Sequence, residues 1–248
     1  MDMKVAVILP AAGLGTRMGR TSAETAGTSR KQFMLLDGSP ILLHTVRKFA
    51  ASDRVSEIVI ALRREDLEAV GGLLRQEIRT KPVRVVEGGN SRQESVERGL
   101  AAVSPETELV AVHDAVRPFI DLDIIEKAID EAHEHGAAIV GIVPVDTVKQ
   151  VSGAQATGAK VRSTISRERL VLAQTPQVFR YDLLKQAFEA ARRDSFVGTD
   201  ESSLVERLEQ VEVRVVMGSD RNIKITKPGD MDLARLFLEQ ETARQALS

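Results

Sequence analysis

The chain has no cysteine and no tryptophan, and only one tyrosine and seven phenylalanines in 248 residues. Without cysteine there is no disulfide, no thiolate nucleophile and no Cys-ligated zinc. So few aromatic rings leave little material for stacking bases, which argues against a single-strand nucleic-acid binder. An excess of either charge is missing as well. Thirty-four Lys and Arg against 36 Asp and Glu leave a formal charge of −2, no basis for broad attraction to nucleic acid or a membrane surface. No stretch approaches the ~20 consecutive apolar residues of a membrane span. The N-terminus imitates a signal peptide, with Lys4 before an apolar run, but Val5 to Leu9 is too short for a typical apolar core and Asp2 cancels Lys4. The expectation is a cytoplasmic protein. A hydrophobic content of 43% and charged content of 28% are ordinary for a globular chain. The length suits one large α/β domain over residues 1–248, or such a domain with an appendage.

The stretch KVAVILPAAGLGTRMG, Lys4 to Gly19, organises the rest. Its apolar run is continuous rather than alternating, as in a parallel strand buried on both faces. After Pro10 come Ala11, Ala12, Gly13, Leu14 and Gly15, then Arg17. Small residues let backbone approach a bound group, and successive N–H groups form a concave anion site, with Arg17 where phosphates would lie. A Rossmann fingerprint is not met, because Gly19 comes one residue late, and the Gly-Lys-Ser/Thr of a Walker loop is absent. A tight strand-to-helix turn with a solvated arginine remains the alternative for this stretch taken alone.

Further along, Arg20 to Arg30 is polar and lacks an apolar period, as in a loop that covers a site. It delivers Lys31 and Gln32. A helix is expected from Ser39-Pro40 to about Ala51, a strand at Glu57–Leu62, a helix at Glu65–Arg79 and a short strand at Val83–Val86. Ser91-Arg92-Gln93-Glu94 fits a capping box. A strand at Leu109–Val112, a helix from about Asp121 to His135 and a strand at Ala137–Val143 follow. Strands alternating with helices at this spacing mean βαβ units. The fold class is therefore α/β, a Rossmann-like three-layer α/β/α arrangement around a mostly parallel sheet. Val148 to Ser166 breaks the rhythm and reads as a protruding β-arm, whose unpaired edges a second subunit would cover; a solvated excursion in a monomer is the alternative. A helix from Tyr181, a cap at Gly198–Glu201, strands at Val211–Met217 and Asn222–Thr226 and a last helix opened by Pro228 complete the expectation.

Ligands of open α/β sheets sit at the carboxyl ends of strands. Pro10–Arg17, Gly88–Ser95 and Asp114–Arg117 fall there, with Asp146-Thr147 nearby. Gly88-Gly89 at a helix start offers free N–H groups to a polar ligand edge, and Asp114 is a hard oxygen donor suited to a magnesium ion bridging phosphates. His133 and His135 are two apart on a helix, do not share a face and read as a solvated end rather than a zinc site.

Taken together, these segments resemble a known family. Pro10-Ala11-Ala12-Gly13-x-Gly15-x-Arg17-Met18, Lys31-Gln32, Gly88-Gly89…Arg92…Ser95-Val96 and His113-Asp114-Ala115-x-Arg117-Pro118 occur in order. They are followed by Asp146-Thr147, Thr175-Pro176-Gln177, Thr199-Asp200-Glu201 and Asn222-Ile223-Lys224. The chain looks like a 2-C-methyl-D-erythritol 4-phosphate cytidylyltransferase of the non-mevalonate isoprenoid pathway. That resemblance implies transfer of CMP from CTP to the phosphate of methylerythritol phosphate with release of pyrophosphate. It also implies site roles. Ala11, Ala12, Gly13, Gly15, Gly88, Asn90, Ser95 and Ala115 would hold the cytidine nucleotide, and Arg17, Lys31 and Lys224 would surround the triphosphate and transition state. Asp114 would bind Mg2+, while Arg117, Thr147, Thr175 and Arg167 would meet the sugar phosphate. The resemblance also implies a homodimer through the arm, in which Arg167 would enter the neighbouring subunit's site.

The chain departs from the pattern in places. The loop between Arg17 and Lys31 is long, Arg30 stands where proline is common, Val116 replaces a frequent alanine, and Pro144–Thr147 is tighter than usual. A sister cytidylyltransferase acting on another polyol phosphate such as ribitol 5-phosphate is the nearest rival. A non-catalytic nucleotide-binding module and a dinucleotide-dependent oxidoreductase are the rivals of other classes.

Overall fold

In the computed structural model, which describes residues 3–13, 30–153 and 157–245, the first apolar run becomes strand β1, Val5–Pro10. Side chains alternate across a strand. Val5, Val7 and Leu9 therefore pack on one face of the sheet while Ala6 and Ile8 pack on the other, and all five are fully buried. That is why the run has no polar positions.

The chain then forms a two-stranded turn, β2 (Leu35–Leu36) with β3 (Ser39–Pro40), and helix α1, Ile41–Ala50. Strand β4 (Val55–Leu62), α2 (Leu67–Glu77), β5 (Val83–Glu87), α3 (Arg92–Leu100), β6 (Leu109–Val112), α4 (Leu122–His135) and β7 (Ala137–Ile142) follow as successive βα units. The arm is β8 (Val148–Val151) paired antiparallel with β9 (Val161–Ile165), a separate two-stranded sheet. The chain returns as β10 (Leu172–Arg180), α5 (Tyr181–Arg193), α6 (Ser202–Glu206), β11 (Arg214–Met217) and α7 (Pro228–Gln245).

The main sheet has the order β11-β7-β10-β6-β1-β4-β5. The pairs β1–β4, β1–β6, β4–β5 and β7–β11 are parallel, and only β10 runs against its neighbours. Helices α1, α2 and α4 cover one face, and α3, α5 and α6 the other. A third cluster of Leu36, Ile41, Val116, Phe119, Ile225 and Met231 seats α7 beside the loop after β6.

Strand β10 has no counterpart in the sequence-based expectation, element ends shift by up to three residues, and two further details differ. Asn222–Thr226 is not a strand: it runs as an extended loop tied to the body by the Ile225 N–H bonded to the Val116 carbonyl at 3.0 Å. Its alternating Ile223 and Ile225 imitate a strand because the loop lies across an apolar patch. Half of the capping box forms, with Ser91 Oγ accepting from the Glu94 N–H at 3.1 Å, but the Glu94 carboxylate reaches past Ser91 to the Asn90 N–H at 2.6 Å. No helix among the described residues is long and apolar enough to cross a membrane.

Candidate active site

A hollow of about 240 Å³ opens at the carboxyl ends of β1, β5 and β6, lined by Ala11, Ala12, Gly13, Lys31, Asn90, Ser95, Asp114, Ala115 and Lys224 among others. Its floor is the turn after β1. Gln32, buried, donates from Nε2 to the carbonyls of Ala11 at 2.7 Å and Gly13 at 3.2 Å, and Arg63 Nε reaches the Ala12 carbonyl at 3.1 Å. The small residues are required here by space. A Cβ on Gly88 would lie 2.6 Å from the Ala12 Cβ and 3.1 Å from Ser95 Oγ, so the two loops touch only because that side chain is absent.

The N–H groups of Gly88 and Gly89 are not free. That of Gly88 bonds the Leu62 carbonyl at 2.6 Å and that of Gly89 bonds Ser95 Oγ at 3.1 Å. Ser95 Oγ in turn donates to the Ser91 carbonyl at 2.8 Å, so this hydroxyl knits the loop to the first turn of α3. The expectation of idle donors fails because folding consumes them: buried N–H groups find partners.

Asp114 is the electrostatic centre. Lys224 Nζ stands 2.9 Å from its Oδ2, Arg117 Nε 3.3 Å from the same oxygen, and Arg92 Nε 3.3 Å from Oδ1. Burial works against the charge, but Arg92, Lys224 and Arg117 outweigh it and hold the carboxyl well below the usual carboxylate range. A unit-charge pair at ~4 Å is worth ~4 kcal/mol at an effective dielectric near 20, so three such neighbours decide the protonation state.

The carboxylate is held in place from behind. Its backbone N–H bonds Thr175 Oγ1 at 3.0 Å, and Arg117 Nη1 is anchored on the Asn222 carbonyl at 2.6 Å. The Asn222 amide clasps Gln174 Oε1 at 3.0 Å and the Thr175 carbonyl at 2.9 Å, which fixes the loop that presents Lys224. His113 is buried, its Nε2 bonded to the Arg117 carbonyl at 3.0 Å, and burial pushes its pKa down to about 4, so it stays neutral.

Of the residues expected in the site, the structure thus gathers Ala11, Ala12, Gly13, Lys31, Asn90, Ser95, Asp114, Ala115 and Lys224 on the hollow itself. Gly88 and Thr175 touch lining residues without lining the hollow, and Arg117, also off the lining, reaches Asp114 Oδ2 at 3.3 Å. Thr147 and Arg167 do not join them: both are exposed at the root of the arm, and Arg167 bonds the Val145 carbonyl. Gly15, Arg17 and the loop from Arg20, except Arg30, lie outside the described residues. Arg30 grips both oxygens of Asp66 and sits 5.3 Å from the centre of the Phe33 ring, which secures the residue before Lys31 where proline is common in the family.

Sequence reasoning gave no role in the site to Arg92, Glu201 or Gln177. Arg92 lines the hollow between two carboxylates, with its Nη1 2.6 Å and 2.8 Å from the two oxygens of Glu201. Burial pushes the Glu201 carboxyl up, with Arg92 pulling the other way. Gln177 Oε1 accepts the N–H groups of Glu201 and Ser202 at 3.1 and 3.0 Å, while its Nε2 holds Asp200 at 2.8 Å. The available signal was the company these residues keep, each inside a motif already quoted.

A family model described as IspD, 2-C-methyl-D-erythritol 4-phosphate cytidylyltransferase, matches residues 5–240. The chain belongs to this cytidylyltransferase family. A 2-C-methyl-D-erythritol 4-phosphate cytidylyltransferase from Solibacter usitatus is 70% identical over 99% of this chain and 100% of its own length. One of the same description from Acidobacterium capsulatum is 49% identical over 98% of this chain and 100% of its own length. Among solved structures, the 4-diphosphocytidyl-2C-methyl-D-erythritol synthase of Anaerococcus prevotii superposes with a TM-score of 0.81 at 28% identity, covering 96% of this chain and 100% of that one. The cytidylyltransferase fold is therefore shared along the whole sheet, and the protein is an enzyme of the nucleotidyltransferase kind.

Proposed function

We propose that the protein transfers CMP from CTP to 2-C-methyl-D-erythritol 4-phosphate, giving 4-diphosphocytidyl-2-C-methyl-D-erythritol and pyrophosphate. The observation that supports this best, beside family membership, is the convergence of Arg92, Arg117 and Lys224 on the single carboxylate of Asp114, with Lys31 on the same hollow. An acceptor phosphate is already anionic near neutral pH and needs no general base. An oxygen of that phosphate attacks the α-phosphorus of CTP, the bond from that phosphorus to the bridging oxygen breaks, and pyrophosphate leaves with the electron pair. The obstacle is repulsion between anions, and phosphoryl chemistry of this type is governed by positioning and electrostatic stabilisation. Lys31 and Lys224, with Arg17 by resemblance, meet the charge that builds on the non-bridging and leaving oxygens. The turn from Ala11 to Gly13, with Asn90, Ser95 and Ala115, holds the nucleotide.

Among the described residues no cluster of three or more His, Cys, Asp or Glu could hold a metal. One ionised carboxylate at the hollow still fits magnesium, which is commonly held by one or two carboxylates together with substrate phosphates. Asp114 would be that ligand. When bound, the ion would neutralise triphosphate charge; Lys224, now 2.9 Å from Asp114, would then turn to the phosphates.

The reading extends to a homodimer built through the arm, with Arg167 and Thr147 meeting the acceptor, Arg167 across the subunit boundary. What supports it is an exposed two-stranded arm outside the main sheet, carrying Val161 and Ile165 in the open. A cytoplasmic location belongs to the same reading and accords with a chain free of cysteine. The test is pyrophosphate release from CTP across a panel of sugar and polyol phosphates. Turnover is expected with methylerythritol phosphate, and turnover with ribitol 5-phosphate in its place would overturn the acceptor.

A further inference from the structure

Arg92 is shared by two acids. Glu201, 1% exposed, accepts from Nη1 on both of its oxygens at 2.6 and 2.8 Å, and Asp114 accepts from Nε at 3.3 Å. A guanidinium has five N–H donors, so one nitrogen, Nη2, is left over, and it makes no hydrogen bond among the described residues. Arg92 and Asp114 both line the hollow, whereas Glu201 does not. Glu201 is itself clamped, since Gln177 accepts its N–H and holds the neighbouring Asp200.

We propose that Glu201 is a positioning residue for the transfer reaction: it holds Arg92 side-on to Asp114, so that Asp114 stays open to the hollow and Nη2 is presented to the anionic substrate. The inference rests on the cytidylyltransferase reading. Paired arginine and carboxylate groups prefer a two-bond, fork-on-fork arrangement. Released from Glu201, the Arg92 guanidinium would turn both of its forks on Asp114, already faced by Lys224 and Arg117, and withdraw that carboxylate from ligand. Glu201 prevents this by occupying Nη1 with a charge of its own. Buried acids without partners are expensive, and here the partner is a site residue more than a hundred positions earlier in the chain, on another element.

The test is a kinetic cycle on the full chain, with CTP and methylerythritol phosphate, read together with melting temperature. Wild-type turnover comes first, because its absence refutes the reading beneath the inference rather than the inference. Glu201→Gln is expected to lower kcat/KM for the sugar phosphate at least tenfold. In an Arg92→Met background the same substitution should change kcat/KM less than threefold, because the group through which Glu201 acts is gone. A loop-supporting role alone would cost as much in either background, and that additivity would overturn the proposal. Where Glu201→Gln does not fold, Glu201→Asp serves. It keeps the charge but withdraws it by one methylene, and is expected to lower kcat/KM severalfold with little change in melting temperature. Wild-type kinetics in Glu201→Asp would also overturn the proposal.

Discussion

Three cations contend for Asp114, and what each does depends on its remaining negative. Asp114→Asn keeps the shape and removes the charge, leaving Arg92, Arg117 and Lys224 facing a neutral amide. Breaking a buried pair by removing one partner typically costs ~3–5 kcal/mol. The expectation is a lower denaturant midpoint together with near-complete loss of pyrophosphate release. A native midpoint would show that Glu201 alone balances the cluster. Lys31→Met should lower kcat by ~100-fold or more while KM for CTP rises only severalfold, since the interaction strengthens as charge develops. Steady-state kinetics decide this, and an unchanged kcat removes Lys31 from the chemistry. At this scale the sequence was partly legible. Asp114 stands just past the end of β6 beside Ala115, a position that announces a ligand, whereas Lys31 and Lys224 were picked out by the motifs around them. Glu201 was not, because an acid beside Thr199-Asp200 reads equally well as a helix cap. Asp200 does cap, its Oδ1 accepting the Ser203 N–H at 3.0 Å, while its neighbour turns inward to Arg92. Nothing local tells the two apart.

Helix α3 illustrates how elements depend on missing atoms. Gly99 faces β1, and a Cβ there would lie 2.6 Å from Ile8 Cγ2. Alanine usually gains ~1 kcal/mol over glycine inside a helix. Here overpacking at ~1–3 kcal/mol opposes that gain, so Gly99→Ala should lower stability in urea unfolding, against the propensity scale. Glu57 on β4 gives an element-scale pH dependence. Its Oε1 accepts the Ser104 N–H at 2.6 Å, and Arg84 pairs with its other oxygen. Burial opposes the charge, yet the Ser104 bond and Arg84 outweigh it, and the pKa lies below its usual 4.5. A lowered acid pKa stabilises the fold above the unfolded value and gives that up as pH falls through the folded one. Wild type should therefore exceed Glu57→Gln by ~1–3 kcal/mol at neutral pH, with the gap closing below pH 4.5. A constant gap would assign the loss to shape. Strands β1, β4 and β6 were readable because apolar runs buried on both faces leave no ambiguity. The segment after Asn222 was misread because two isoleucines lying across a patch have the same spacing as a strand.

Over the whole molecule, a mostly parallel sheet between helical layers was foreseeable from alternation, and the arm from a break in it; the antiparallel strand β10 was not, because Gln174, Thr175, Pro176 and Gln177 interrupt its apolar pattern. What the arm touches was not either, because exposed apolar positions such as Val161 and Ile165 call for a cover without naming it. The dimer reading makes the arm's apolar positions the ones to change. Val161→Lys with Ile165→Lys should convert a dimer to monomer in sedimentation while leaving the main sheet's circular dichroism intact. A variant that remains dimeric would move the interface elsewhere.

Strand β10 runs against its neighbours, so it enters the sheet at the ligand rim, beside the point where β7 left it: Leu172 pairs with Ile142. Everything between those two residues is a detour that begins and ends at one doorway. Such an excursion can grow, shrink or exchange its tip over generations without shifting a single strand of the body. If Thr147 and Arg167 meet the acceptor as proposed, a lineage could revise which phosphate it accepts while inheriting, unaltered, the hollow at the ends of β1, β5 and β6.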